Sequence, residues 1–123
     1  MIEGIGTDIV QVARIRAALA RRGEALMVRL LAPSERDRCA GHPDPSRFLA
    51  KRFAAKEALL KALGTGLRGM SWHDIRIEND ELGKPLLMLS GEAARRLGRR
   101  RCHLSISDEQ DYALAFVIIE SES

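Results

Sequence analysis

Between the loop Gly41-His42-Pro43-Asp44-Pro45 and the glycine pair Gly64-Thr65-Gly66 runs one unbroken stretch whose apolar residues circle a helix almost completely. Phe48, Leu49, Phe53, Ala54, Leu59, Leu60 and Leu63 recur at helical spacing and leave almost no wholly polar side. Ser46 suits the N-cap and Gly64 the C-cap, so the spacing predicts a long helix from Ser46 to about Leu63. Such a helix has to be covered on most of its faces, and the remaining segments must supply that cover.

Those segments are mixed in type. Ile2 to Val10 reads as a strand, with Ile5 and Ile9 on one face and Gly4, Gly6 and Asp8 on the other. Glycines on the aspartate's face would let another backbone or a ligand come close. Val12 to about Arg22 carries Val12, Ile15, Ala18 and Leu19 at helical spacing with Arg14, Arg21 and Arg22 elsewhere on the wheel, an amphipathic and basic helix. Ala25–Leu31 and the Pro33-Ser34-Glu35-Arg36 start suggest two further short helices. Beyond Gly69 the pattern turns to strands at Asp74–Glu78 and Pro85–Leu89, then a short helix from Ser90 or Gly91 to Leu97. Two final strands, Cys102–Ser107 and Tyr112–Ile119, are joined by a turn at Asp108–Asp111. The expected fold is α+β, an antiparallel-rich sheet packed against a long buried helix and shorter helices.

A chain of 123 residues with 46% apolar content fits one domain over 1–123 and is short for two. It has no apolar run long enough to span a membrane, and Met1-Ile2-Glu3-Gly4 lacks a secretory pattern, so a soluble, cytoplasmic protein without membrane partners is expected. Cys39 and Cys102 have no close-spaced partners, which argues against a disulfide framework or a four-ligand zinc site. The net charge is only +3, but from Gln11 to Arg52 ten basic residues face four acidic ones. That half looks built to meet something acidic. Nucleic acid is one such partner, although 4% aromatic content leaves little for base stacking. An acidic protein or a phosphorylated small molecule fits at least as well.

Chemistry-bearing residues sit in two separated segments. Asp8 lies in an apolar strand-like segment and Glu57 in the apolar helix, and carboxylates so placed need a cation or strong donors to offset lost hydration. Glu57 and Lys61 are one helical turn apart, which as an ordinary surface ion pair is worth only about 0.2–0.5 kcal/mol. Phe53 and Leu60 flank the pair and argue against full exposure. A structural ion pair and a Mg²⁺ site completed by water and substrate phosphates both remain open on spacing alone. Asp8 has the alternative reading of a cap for the next helix, and Gly64-Thr65-Gly66 that of a helix C-cap as well as a phosphate cradle. His103 shares the polar side of its strand with Ser105 and Ser107.

Taken in order, these pieces resemble the holo-acyl-carrier-protein synthases, the small bacterial type of 4'-phosphopantetheinyl transferase. The matching blocks are Gly4-Ile5-Gly6-Thr7-Asp8-Ile9-Val10 with Arg14, and Phe48-Leu49-Ala50-Lys51-Arg52-Phe53-Ala54-Ala55-Lys56-Glu57-Ala58 with Lys61-Ala62-Leu63-Gly64-Thr65-Gly66. Gly83-Lys84-Pro85 and His103-Leu104-Ser105-Ile106-Ser107-Asp108 complete the set. The second block is the most specific, and Leu26–Ser46 contributes little.

The resemblance implies a phosphopantetheinyl transferase fold and transfer of the phosphopantetheine arm of coenzyme A to a serine of apo acyl carrier protein, with release of adenosine 3',5'-bisphosphate. By position Asp8 and Glu57 would bind Mg²⁺, and Lys61 would donate to a phosphate oxygen. Glu57 or a metal-bound water would take the serine proton. Larger relatives carry a third acid where this chain has Val10, and a water would fill that place. Gly64, Gly66 and Pro85 would shape the nucleotide pocket, with Arg52 and Lys56 adding positive charge. Family members are trimers with the coenzyme A cleft between subunits, so His103 and Ser105 would act on a neighbour's site. Arg14, Arg21 and Arg22 would grip the acidic carrier protein, which predicts salt-sensitive binding. The competing readings are a basic nucleic-acid-binding module and a non-catalytic oligomeric scaffold.

Overall fold

Helix α4 (Pro45–Leu63) is the element against which most of the molecule packs. Leu49, Ala50, Ala54, Ala55, Ala58 and Leu59 on it are wholly inaccessible to solvent. The computed structural model describes residues 1–122, and Ser123, the last residue of the expected 1–123 domain, lies outside the described residues. The helix starts two residues earlier than its sequence suggests: Asp44, not Ser46, is the N-cap, its Oδ1 accepting the Arg47 N–H at 3.2 Å. Pro45 explains the difference, because proline has no N–H to lose and a φ already suited to the first helical position, which moves the cap to the residue before it. Gly64 ends the helix in the left-handed conformation, with φ of 75° and its N–H on the Leu60 carbonyl.

Strand β1 (Ile2–Gln11) pairs antiparallel with β5 (Tyr112–Glu120), which pairs antiparallel with β4 (Arg101–Asp108), in the order β1-β5-β4. A separate antiparallel pair consists of β2 (Ile75–Asn79) and β3 (Pro85–Leu89). The strand expected from Asp74 begins at Ile75 instead. Trp72–Asp74 forms a 3₁₀ turn capped by the Ser71 hydroxyl, which accepts the His73 N–H at 3.1 Å. The first helix α1 (Val12–Arg22) follows β1 directly, and α2 (Glu24–Leu30), α3 (Pro33–Ala40) and α5 (Gly91–Leu97) complete the helices.

The two faces of β1 divide as the two-residue period requires, and the glycine face is the inner one. A Cβ on Gly6 would stand 2.6 Å from the Ala62 amide nitrogen and would collide with the Ala58 carbonyl oxygen, while one on Gly4 would collide with the Ala62 carbonyl oxygen. Helix α4 therefore rests backbone to backbone on β1, which neither glycine position could allow with any side chain. Its core continues through Ala115, Val117 and Ile119 of β5 and Ile75 and Ile77 of β2. A second apolar cluster joins the first half of α4 to Val12 and Ile15 of α1, Leu26 and Leu30 of α2, and Cys39 of α3. Truncating a fully enclosed member such as Leu59 to alanine costs about 2–5 kcal/mol. On the outer face of the sheet, Ile5 and Ile9 are more than half exposed, and Leu114 and Phe116 about two-fifths. No helix of the described residues is long and apolar enough to cross a membrane.

Candidate active site

Asp8 shares a face with Gly4 and Gly6, so the close seating of β1 on α4 carries its carboxylate toward the helix. Lys61 answers it from α4, Nζ to Oδ1 at 3.1 Å, with the lysine side chain 56% exposed and the aspartate 17%. The strand runs on to Gln11, and Asp8 caps nothing; Gln11 stands at the N-terminus of α1 without a side-chain cap bond. Glu57, one turn before Lys61, is partly buried. Its carboxyl is pushed above the ordinary range, first by burial and then by the negative charge of Asp8, with Lys61 pulling the other way.

Two adjoining depressions meet at Glu57. One, of about 330 Å³, is lined by Asp8, Val10, Arg14, Phe53 and Glu57. The other, of about 320 Å³, is lined by Glu57, Lys61, Gly64, Gly66, Leu67 and Trp72. Asp8, Glu57, Lys61, Gly64, Gly66 and Arg14 thus belong to one continuous region. Among the described residues no group of three or more His, Cys, Asp or Glu side chains gathers to hold a metal. What the region offers is two hard carboxylates, with the charge of Asp8 raising the cost of ionising Glu57. That set suits Mg²⁺, which keeps several waters and completes its shell with phosphate oxygens, and does not suit zinc.

A second region lies along another side of α4. Arg38, Arg47, Lys51 and Arg52 line a groove of about 540 Å³ that is bounded by Phe48, Asn79 and Pro85. Five residues of helix separate Arg52 from Glu57, a rotation of roughly 140°, so the two point into different grooves. Arg52 stacks over the Phe48 ring at 4.5 Å and gives one hydrogen bond to Asn79 Oδ1 at 3.3 Å. Its Nε, 3.6 Å from Glu35 Oε2, is within ion-pair reach but without a hydrogen-bond partner. Burial lowers the Arg52 pKa to about 10, against the opposing charge of Glu35. Pro85 also borders a neighbouring hollow with His103 and Cys102. His103 meets Glu120 Oε1 at 3.1 Å and, with Ser105, lies on the exposed face of the sheet. Arg21 and Arg22 end α1 in solvent, without an ion pair among the described residues.

Lys56 is in neither region, and here the structure corrects the sequence reading. The residue is fully buried, and its ammonium donates to Glu35 Oε1 and the Leu30 carbonyl, each at 2.7 Å, and to the Trp72 carbonyl at 3.2 Å. Three donors are thereby spent on three partners, and none is left for a phosphate. Burial pulls the lysine's pKa down while Glu35 works to restore it. Glu35 was legible only as a first-turn acid of α3. It is in fact enclosed and also accepts the N–H groups of Ala32 and Ile77, both at 3.0 Å. Nothing in helical periodicity marks it, because Lys56 and the Ile77 amide, which make it an enclosed partner, lie 21 and 42 residues away. Trp72, which walls the groove beside Glu57 and packs against Phe53 at 5.5 Å, went equally unmarked.

Residues 4–117 match the model of the 4'-phosphopantetheinyl transferase superfamily. A holo-[acyl-carrier-protein] synthase of Alkalilimnicola ehrlichii is 53% identical over 126 residues, an alignment that covers 98% of each chain. The crystal structure of the holo-[acyl-carrier-protein] synthase of Neisseria meningitidis superposes with a TM-score of 0.90 at 46% identity, covering 98% of this chain and 100% of that one. A holo-(acyl-carrier-protein) synthase of Bacillus anthracis, solved in complex with CoA (3',5'-ADP), gives a TM-score of 0.84 at 40% identity over 98% of both chains.

Proposed function

The chain belongs to the holo-acyl-carrier-protein synthases of the 4'-phosphopantetheinyl transferase superfamily, and from that premise we propose that it moves the phosphopantetheine arm of coenzyme A onto a serine of apo acyl carrier protein. The observation that carries this reading is the Asp8–Lys61 contact at 3.1 Å beside a Glu57 whose proton affinity is raised by burial and by Asp8. The serine oxygen forms a bond to the phosphorus bearing the pantetheine arm, and the pyrophosphate bond breaks. Adenosine 3',5'-bisphosphate leaves with the bonding pair. Glu57, or a water held on the metal beside it, is the group placed to take the serine proton. Lys61, more than half exposed, swings its ammonium between Asp8 and a phosphate oxygen and stabilises the charge that grows there. Asp8 and Glu57 would hold Mg²⁺, which when bound neutralises charge on the pyrophosphate.

The division of the site into two grooves supports a trimer. One chain offers Asp8, Glu57, Lys61, Gly64 and Gly66 on one side of α4, Arg52 and Pro85 in a second groove, and His103 and Ser105 on the exposed face of the sheet. A nucleotide lying between subunits would meet the first set from one and the other two from its neighbour. The outer sheet face supplies a surface for that contact, since Ile5, Ile118 and His103 form one cross-strand row and Thr7, Phe116 and Ser105 the next. Exposed apolar residues in contiguous rows mark association surfaces. The exposed arginines Arg14, Arg21 and Arg22 fit an acidic carrier protein, with Arg14 on the rim of the groove that holds Asp8. In this reading the chain works as one domain over 1–123, in the cytoplasm, supplying holo carrier protein for fatty acid biosynthesis.

Incubation with apo carrier protein, coenzyme A and Mg²⁺ is expected to add the mass of one phosphopantetheine to the carrier. No mass gain with a carrier that a known synthase does load would end the proposal.

A further inference from the structure

The segment 64–70 between α4 and the 3₁₀ turn walls the groove beside Glu57 and Lys61 through Gly64, Gly66 and Leu67; Leu67 and Met70 pack on the core, yet few backbone hydrogen bonds hold the path of the chain between them. Three of its residues are glycines with positive φ, Gly64 at 75°, Gly66 at 65° and Gly69 at 77°. Apart from the helix-terminal bond of Gly64, its internal backbone bonding is Met70 N–H to the Leu67 carbonyl at 2.8 Å. Glycine-rich backbone of this kind samples many conformations unless something outside it removes the freedom.

That something is Arg96 of α5. Its Nη1 donates to Thr65 Oγ1 at 3.0 Å and to the Gly66 carbonyl at 3.4 Å, and its Nη2 to the Arg68 carbonyl. One planar guanidinium therefore binds three of the seven residues of the segment from its concave side. A Cβ added to Gly69 would stand 3.0 Å from Nη2, which shows how closely the backbone wraps the group. The remaining donor, Nε, is fixed by Glu92 Oε2 at 2.9 Å. Hydrogen bonds from Arg95 and Arg96 hold the Glu92 carboxyl down at about 2, so the anchor stays charged at any working pH.

We propose that Arg96 is a positioning residue that fixes the 64–70 segment as the wall on which the coenzyme A phosphates settle beside Glu57 and Lys61. The proposal rests on the transferase reading for what enters the groove, but the clamp itself does not. Arg96 touches no reacting atom and acts through the backbone of Gly66 and its neighbours. Arg95 is a built-in control, because it binds the same Glu92 at 2.7 Å while standing 78% exposed and away from the segment.

The test compares Arg96→Gln, Arg96→Lys and Arg95→Gln in the full chain, by hydrogen exchange of residues 64–70 without ligand and by steady-state kinetics for both substrates. Loss of charge-assisted bonds in Arg96→Gln should speed exchange of the segment and raise the KM for coenzyme A by about tenfold. The KM for carrier protein should stay within about twofold, since Arg14, Arg21 and Arg22 share no hydrogen-bond partner with Arg96. Lysine keeps the charge but not the fork, so Arg96→Lys should fall between, and Arg95→Gln should match the parent. Unchanged exchange in Arg96→Gln, or equal rises in both KM values, would overturn the proposal. If the parent itself transfers no phosphopantetheine, the transferase reading fails, and the exchange arm still decides whether Arg96 clamps the segment.

Discussion

Lys56 and Glu57 are adjacent on α4, and each sits in a cluster of carboxylate and lysine, yet the two clusters are opposites. Around Lys56 the charges are sealed: Glu35 is 1% exposed, accepts two backbone N–H groups and the ammonium, every Lys56 donor has a partner, and only Arg52 Nε, 3.6 Å from Glu35 Oε2, is left without a hydrogen bond. Around Glu57 the charges are half open and mismatched, with two carboxylates against one mobile lysine. A satisfied buried cluster has nothing to offer a ligand, and its contribution is to tie α2, α3 and the Trp72 turn to the central helix. An unsatisfied cluster facing a groove retains electrostatic free energy that a cation or a phosphate can relieve. Residue type is the same in both; satisfaction and access separate structure from chemistry.

The largest expected effect lies on the sealed side. Lys56→Met leaves buried Glu35 without its hydrogen-bonded cation, with Arg52 only at 3.6 Å, and should cost about 3–5 kcal/mol in urea denaturation, whereas Lys61→Met should cost less than about 1 kcal/mol because its ammonium is more than half exposed. Equal losses would erase the distinction between the clusters. Next is Glu57→Gln, expected to lower turnover by about 100-fold or more while leaving the fold intact. Its effect on stability has a definite sign. A carboxyl with a folded pKa above its unfolded one binds more protons when folded, so stability falls as pH rises through that window. At neutral pH the ionised Glu57 is a net cost, and the glutamine variant should melt at the parent temperature or above it. Added Mg²⁺ should raise the melting temperature of the parent and not of this variant; a Mg²⁺ response in both would remove Glu57 from the metal site. The smallest effect belongs to charges in neither cluster. Replacing Arg14 and Arg21 with Glu should raise the KM for carrier protein by about tenfold, flatten its salt dependence and leave that for coenzyme A nearly unchanged. Equal changes for both substrates would contradict a docking role.

Much of this was legible in the chain. The long helix, the strand face that Gly4 and Gly6 share with Asp8, and the polar side of His103 and Ser105 follow from periodicity, whereas the convergence of Asp8 with Lys61, 53 residues apart, was implied only by the family resemblance. Periodicity succeeded there because each feature depends on neighbours three, four or two residues away. It failed at Lys56, which shares the most specific sequence block with Glu57 yet faces inward, because one residue on a helix is a turn of about 100°. It failed at Glu35 and Arg96 for another reason. Several of their partners are carbonyls and amides in distant segments, and a backbone group carries no signature in sequence. The cap at Asp44 rather than Ser46 was a local misreading, since Pro45 announced it.

Side-chain type and spacing along a helix or strand were enough to define the elements and their faces, while the set Asp8, Glu57 and Lys61 came only with the family resemblance. Which charges are spent and which are free was decided when the elements packed. Three donors on Lys56 found three acceptors from α2, α3 and the Trp72 turn, while Glu57, one residue on, found a like charge and an open groove. Whether a charged group is structural or chemical depends on what surrounds it in space, and that is settled when the elements pack.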